Sequence, residues 1–288
     1  MNRTRRWRCR LVAAAALPML LALPVPATPQ SPTTPEQAAA EVAGLGWQKG
    51  PAEGRVGSVG TISVPPGMMF LDADGTRRFL ELTGNPPRDH RYTLAPDDLS
   101  WFAIFVFDPS GYVRDDEKLD QAALLEDLKA GDERQNKERR RLGMGELHTD
   151  GWHVPPHYDT ASKRLEWGVR LRTERGEQTV NYAVRLLGRR GVMQAILVSD
   201  PEHLDKDMVP FKAALKGYDF AAGERYSEFR AGDRVAEYGL AALVVGGAAA
   251  AATKTGAGKA VGKMLIYGGI AAAGAVGAAL KKFFRRSA

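Results

Sequence analysis

Hydrophobic and polar positions along this chain follow two periods, and each period predicts a kind of element. Residues 58–64 alternate as a half-buried strand does, and Pro65-Pro66-Gly67 turns that strand into a second one at 68–71. Across 74–83 the spacing changes: Phe79, Leu80 and Leu82 fall on one side of a short helix, which Gly84-Asn85-Pro86-Pro87 ends. Residues 101–107 are an almost unbroken aromatic and apolar run, the pattern of a central strand, with Asp108-Pro109-Ser110-Gly111 as a tight turn after it. A helix is predicted over 119–141, with Leu124, Leu125 and Leu128 as its core stripe and a charged, solvated C-terminal half.

Beyond residue 147 the period shifts to two. Strands are predicted at 148–154, 164–174, 178–187 and 192–199, with turns at Arg175-Gly176 and Arg189-Arg190-Gly191. They would form an antiparallel meander covered by a helix at 201–215, which Pro210 breaks or kinks. Residues 219–234 are rich in loop formers. A run of strands with helices at its margins predicts an α+β fold, an antiparallel sheet with covering helices, instead of a doubly wound sheet.

The two ends of the chain depart from this globular pattern. Residues 264–280 (MLIYGGIAAAGAVGAAL) present no polar face, so a helix formed there seeks lipid or a protein interior. Seventeen residues at about 1.5 Å each span roughly 25 Å, and the flanking Lys263 and Lys281 can snorkel to complete a crossing. Gly269, Ala273 and Gly277 recur every fourth residue, the small-residue stripe that lets membrane helices approach one another. At the other end, Arg3 to Arg10 and the apolar run 11–23 form a secretory leader, with Val25 and Ala27 at the small positions of a cleavage site.

The expected organisation is therefore a signal peptide (1–27), a flexible leader (28–45) in which residues 35–42 have the pattern of a short helix, and a periplasmic α+β domain (46–237). An Ala/Gly-rich juxtamembrane helix and polar break (238–263) follow, then a transmembrane helix (264–280) and a basic cytoplasmic tail (281–288). Lys281, Lys282, Arg285 and Arg286 would face the cytoplasm, as the positive-inside rule requires of a single crossing. The expected location is the bacterial inner membrane, with the body in the periplasm. Residues 238–252 are read as a helix packed on the body, on the membrane interface or on a second tail.

Charge sharpens this picture. The overall +6 comes from the ends: the leader holds five arginines and no acid, and the stretch from 238 onward holds seven basic residues and no acid. The body, residues 28–237, carries 28 basic residues against 34 acidic, a net of −6, which argues against a nucleic-acid partner. The single cysteine, Cys9, lies in the leader, so the mature body has no disulfide or thiol chemistry.

Candidate chemistry is sparse. His148, His153 and His157 lie beside Asp150 and Asp159, and imidazole with carboxylate is what a divalent metal takes. Pro155-Pro156 interrupts them, so exposed histidines in a polar loop are the preferred reading; His153, His157 and Asp159 stand as the metal candidates. Asp115-Asp116-Glu117 with Asp120 lacks the alternation and glycine of a calcium loop and fits a helix N-terminus, which favours negative charge. Neither a Gly-x-Ser-x-Gly elbow nor a phosphate-binding glycine loop is present, and no cofactor is expected. Trp101, Trp152, Trp167 and Tyr182 would serve as a sugar-binding face if exposed, and as core rings otherwise.

Several short motifs in a fixed order then carry a resemblance. They are Gly84-Asn85-Pro86, Trp101, Gly111-Tyr112-Val113 with Asp115-Asp116, Asn136 with Glu138-Arg139, Gly151-Trp152, and residues 155–159. Residues 165–167, Val180-Asn181-Tyr182, Leu187-Gly188-Arg189 and 233–239 complete the set. By these the chain resembles the bacterial membrane-anchored proteins grouped as Domain of Unknown Function 2167, over about residues 46–280. The resemblance implies an exported domain with a C-terminal anchor and offers no catalytic residues. The expected role is non-enzymatic interaction or regulation at the envelope, with lipid, an envelope protein and a second copy of the anchor helix as partners. A metal-assisted or acid–base hydrolase using His153, His157 and Asp159, or Asp115 and Asp116, is one alternative; a carbohydrate-binding module is the other.

Overall fold

The computed structural model describes residues 34–246, apart from Pro86, Leu142 and Met144. The expected leader, transmembrane helix and basic tail, with Gly269, Ala273, Gly277, Lys281, Lys282, Arg285 and Arg286, lie outside the described residues. Among the described residues no helix is long and apolar enough to cross a membrane.

The strands are β1 (Gln48–Lys49), β2 (Ala52–Val56), β3 (Gly60–Val64), β4 (Met68–Leu71), β5 (Arg91–Pro96) and β6 (Phe102–Asp108). They continue with β7 (Leu147–Asp159), β8 (Arg164–Thr173), β9 (Gln178–Leu187), β10 (Val192–Ser199) and β11 (Tyr218–Phe220). The helices are α1 (Pro35–Ala43), α2 (Ala73–Leu82), α3 (Gln121–Arg141), α4 (Leu204–Leu215) and α5 (Leu240–Val245). Eight strands form one sheet in the order β1-β4-β5-β6-β10-β9-β8-β7, and a second sheet has the order β11-β3-β2. Every pairing in both sheets is antiparallel. The fold is α+β, as the period changes predict.

The large sheet is buried on both faces, which explains why its central strands read as continuous apolar runs. On one face Phe105, Ala195 and Val184 align across β6, β10 and β9. They pack under the small sheet and α4, through Ile62, Val64, Phe211 and Leu215. On the other face Ile104, Ile196, Ala183 and Trp167 form the matching row. Here α1 and α2 cover one half of the sheet, and α3 and α5 cover the other. A polar seam lies between these halves: Arg185 sits opposite Gln194, both at least 95% buried, and Arg185 stacks over the Trp167 ring at 4.7 Å.

The body extends beyond the boundaries expected at both ends. Within the expected leader the short helix read at 35–42 forms as α1 over Pro35–Ala43, capped by Thr34, and it packs onto the body, with Ala38, Ala39 and Val42 buried and Trp47 against Phe79. Past residue 237, α5 buries Leu240, Leu243 and Val244 against the body.

Prolines were poor guides to element ends. β7 runs through Pro155-Pro156, with register shifts between Thr149 and His157. It is an edge strand, where a missing amide costs no ladder bond and bulges are tolerated. Likewise α4 is continuous across Pro210. The carbonyl that Pro210 leaves without a donor belongs to Lys206, an exposed residue.

A free sheet edge exposes unpaired backbone groups, and α3 covers this one. Asn136 bonds both ways with Leu147, its Nδ2 donating to the carbonyl (2.9 Å) and its Oδ1 accepting from the amide (2.9 Å). One helical turn earlier, Asp132 accepts from the Thr149 amide (2.6 Å) and hydroxyl (2.8 Å). At the start of the helix Gln121 Nε2 donates to the Pro156 carbonyl (3.3 Å), and the Trp152 indole donates to the Gln121 carbonyl (3.0 Å). Helix side chains thus stand in for a ninth strand. Asn136→Ala should cost about 1–3 kcal/mol, because it leaves a buried amide and carbonyl unpaired. Urea denaturation of the full chain measures this; Asp127→Ala, on the exposed face, should change stability by less than about 0.5 kcal/mol.

Candidate functional site

One end of the large sheet gathers a dense set of paired charged side chains. There β6, β7 and β9 finish at Asp108, Asp159 and Leu187, while β8 and β10 begin at Arg164 and Val192. Loops 109–120, 160–163 and 188–191 emerge at this end, and segment 221–239 crosses over them. Backbone bonds tie the loops together. The Gly111 amide donates to the Arg190 carbonyl (3.0 Å), and the Tyr112 amide donates to the Arg234 carbonyl (2.8 Å). The Ala236 amide donates to the Tyr112 carbonyl (2.9 Å), which completes a parallel bridge between Tyr112 and Val235. Gly111 has φ +98°, and a Cβ there would lie 2.7 Å from the Arg234 carbonyl oxygen, so this crossing requires glycine.

Ion pairs reinforce these ties. Arg189 grips Asp233 with two bonds of 2.7 Å, from Nε and Nη2, and both side chains are only 15% exposed. Its bonds to Arg189 and to the Arg230 amide hold the Asp233 carboxyl down at about 2. Arg190 pairs with the buried Glu224, and Arg225 with Asp219.

Beside them lies a second cluster, centred on Asp115. Its Oδ2 accepts from the Tyr158 hydroxyl (2.7 Å) and from Lys163 Nζ (2.7 Å). Burial alone would raise this carboxyl, but bonds from Lys163, Tyr158 and Tyr226 outweigh it and hold Asp115 below the usual carboxylate range. Burial, followed by the bond to Asp115, pushes the Tyr158 hydroxyl well up, so it stays protonated. Tyr226 stacks on Tyr112 at 4.3 Å, Phe229 lies 4.2 Å from Tyr112, and Lys163 sits 5.2 Å above the Tyr226 ring.

Between the loops is a cavity of about 370 Å³. Val59, Phe107 and Pro109 supply its apolar wall, and Gly111, Arg190, Glu224, Asp233 and Arg234 line the rest.

With this geometry in place the comparisons can be weighed. Residues 48–277 match the family described as Protein of unknown function (DUF2167), which is most of the chain. The chain belongs to this family. No curated protein matches this DUF2167 chain. Among solved structures it is similar to the solution structure of cyanobacterial PsbP (CyanoP) from Synechocystis sp. PCC 6803. That similarity has 10% identity and a TM-score of 0.33, over 58% of this chain and 89% of the other.

The DUF2167 body disperses the residues singled out as metal candidates. Asp159 caps its own turn, accepting from the Ala161 amide (2.9 Å) and the Ser162 hydroxyl (2.6 Å). His153 lies 3.8 Å from Asp205 on α4, and His157 is exposed on β7 beyond a bulge. His148 faces Glu146 at 3.5 Å, and Asp150 pairs with Arg172. Among the described residues no group of three or more His, Cys, Asp or Glu side chains is placed to hold a metal ion.

The acidic stretch separates into distinct roles. Asp120 accepts from the Ala122 and Ala123 amides and caps α3, as a helix N-terminus predicts. Glu117 caps α5 instead, accepting from the Ala241 amide at 3.0 Å, and Asp116 is exposed. Asp115 belongs to the cluster above. The four aromatics do not form a platform: Trp101 and Tyr182 are buried on one face of the sheet, Trp167 is buried on the other, and Trp152 packs beneath α3. Buried rings hold the core together and are closed to a sugar.

Sequence reading missed Tyr158, Lys163, Arg189, Glu224, Tyr226 and Asp233 as members of one region. Tyr158, Lys163, Arg189 and Glu224 bond partners 34 to 48 residues away, and Tyr226 bonds Val113, 113 residues away, so no local period links them. Tyr158, Arg189 and Asp233 fall within the family motifs, but a motif does not say which residues touch.

The depressed Asp233 fixes a pH window. A carboxyl at about 2 when folded and about 3.9 when unfolded contributes stability that is complete above about pH 4 and lost as pH falls towards 2. Melting temperature measured from pH 7 to pH 2 should therefore fall less steeply below pH 4 in Asp233→Asn than in the parent. Parallel acid limbs would show that the pair is not formed in solution.

Proposed function

We propose that this is a membrane-anchored envelope protein, whose exported α+β body works by binding and has no reaction of its own. The observation that carries the reading is the apolar stretch at residues 264–280, uncharged and followed at once by Lys281, Lys282, Arg285 and Arg286. The basic and apolar leader at residues 1–27 supports export, because it puts the body on the side opposite that basic cluster. On this reading the chain crosses the inner membrane once. Lipid is its first partner, an envelope protein its second, and the stripe Gly269, Ala273, Gly277 a surface for a second copy.

The body's own chemistry favours binding over catalysis. Catalytic acids and bases need a proton to give or take near neutral pH. At the sheet end the carboxyls of Asp115 and Asp233 are held low, each bonded to a cation, and the Tyr158 hydroxyl is held high; the Asp108 carboxyl, which burial raises, accepts from the Tyr238 hydroxyl. These groups fasten loops and shape a cavity, which is what a binding surface requires.

Fractionation tests the anchor. The full-length protein should remain with membranes through an alkaline carbonate wash. The double change Ile270→Arg with Val276→Arg should release it, since each charge costs roughly 2.5–3.5 kcal/mol at the centre of a membrane helix. Mass spectrometry of the membrane form should show a mature chain starting at Thr28. A parent protein recovered intact in the soluble fraction would refute both anchor and role.

A further inference from the structure

We infer that the cavity at the sheet end is a binding site for a small organic monoanion, an oxyanion head carried on an apolar or ring-shaped body. Gly111 and Tyr112 are consecutive, and their amides bond to the carbonyls of Arg190 and Arg234, two residues far apart in the chain. One dipeptide therefore fixes the main chain of both arginines, and both line the same cavity. Gly111 lies between them without a side chain, and no L-residue with a Cβ fits so close to the Arg234 carbonyl.

The charges in this cavity do not cancel. Asp233 is already taken by Arg189, and Glu224 by Arg190. Arg234 makes no ion pair among the described residues and is exposed; it acts on the Asp108 carboxyl only through space, and Asp108 lies outside the lining and bonds to Tyr238. One cation is thus left facing a space that is otherwise charge-balanced. A guanidinium presents a planar fork that matches carboxylate or phosphate oxygens, which favours an oxyanion over a halide. Val59, Phe107 and Pro109 then offer the opposite wall to an apolar body, and the volume of about 370 Å³ lies at the small-ligand end of protein pockets. The inference stands on the cavity alone and is independent of where the body resides.

Fluorine NMR with three probes, added to the full-length protein in uncharged detergent, tests this. The probes are 4-fluorobenzoate, 4-fluorophenyl phosphate and the neutral 4-fluorobenzyl alcohol. One or both anions should broaden and shift while the alcohol does not, and their relative affinity reports whether a carboxylate or a phosphate head is preferred. Arg234→Gln should weaken the anion by roughly tenfold or more, with Arg234→Lys intermediate because it keeps the charge and loses the fork. Arg134→Gln, an exposed arginine on α3, should leave binding within about twofold. Equal binding of the alcohol, an unchanged Arg234→Gln, or silence from both anions would each overturn the assignment.

Discussion

The fold rests on the closing of a sheet edge. An eight-stranded antiparallel sheet buried on both faces has its whole core assembled by cross-strand pairing, so any slip or pairing of its outer strand with another chain would disturb everything behind it. β7 is that outer strand, and Asn136 and Asp132 occupy the backbone groups a further strand would use. Because the two residues are one helical turn apart, their spacing matches Leu147 and Thr149 on the strand. The same helix supplies Leu124 and Leu128 to the core beneath it, so edge protection and burial come from a single element.

From that constraint the two ends of the sheet acquire different characters. The face rows are largely apolar and continuous; ionised groups enter them at the Arg185–Gln194 seam and at Glu166 on β8, which bonds to Tyr182 and Lys212. Charged residues that must be fixed therefore collect where strands finish and loops begin. There most of them pair with one another, and Tyr112 and Tyr226 stack beside the Asp115 cluster. The cavity is what remains between loops whose backbones are tied, with Arg234 as the lining charge that no ion pair among the described residues takes up.

How much of this was legible depends on the distance over which a signal acts. Strands β6, β8, β9 and β10 and helices α2 and α3 carry their own local period, and their bounds match the apolar rhythm to within a few residues. β5 was missed because Arg91-Tyr92-Thr93 masks its alternation, and β1 because two residues hold no pattern. α1 showed only as a short helical pattern at residues 35–42, since Ala38 and Ala39 bury little area each, although both are buried. Long-range polar partnerships left no trace in the sequence: Asn136 with Leu147 across a turn, Asp115 with Lys163, and Arg189 with Asp233 follow from tertiary topology alone. Pro155-Pro156 misled in a physical way. Whether a proline ends a strand depends on which side its missing amide faces, and only the sheet order decides that.

The junction after the last loop bears on how the molecule carries load. Tyr238 bonds to Asp108 at the end of central strand β6, Glu117 holds the first turn of α5, and Leu240, Leu243 and Val244 are sunk beside α3. Tension arriving through residue 246 would meet Val244, Leu243 and Leu240 with the Glu117 bond first, and the Tyr238–Asp108 bond after them, before it reached the central strand. The junction would therefore give way stepwise, from its outer end inwards.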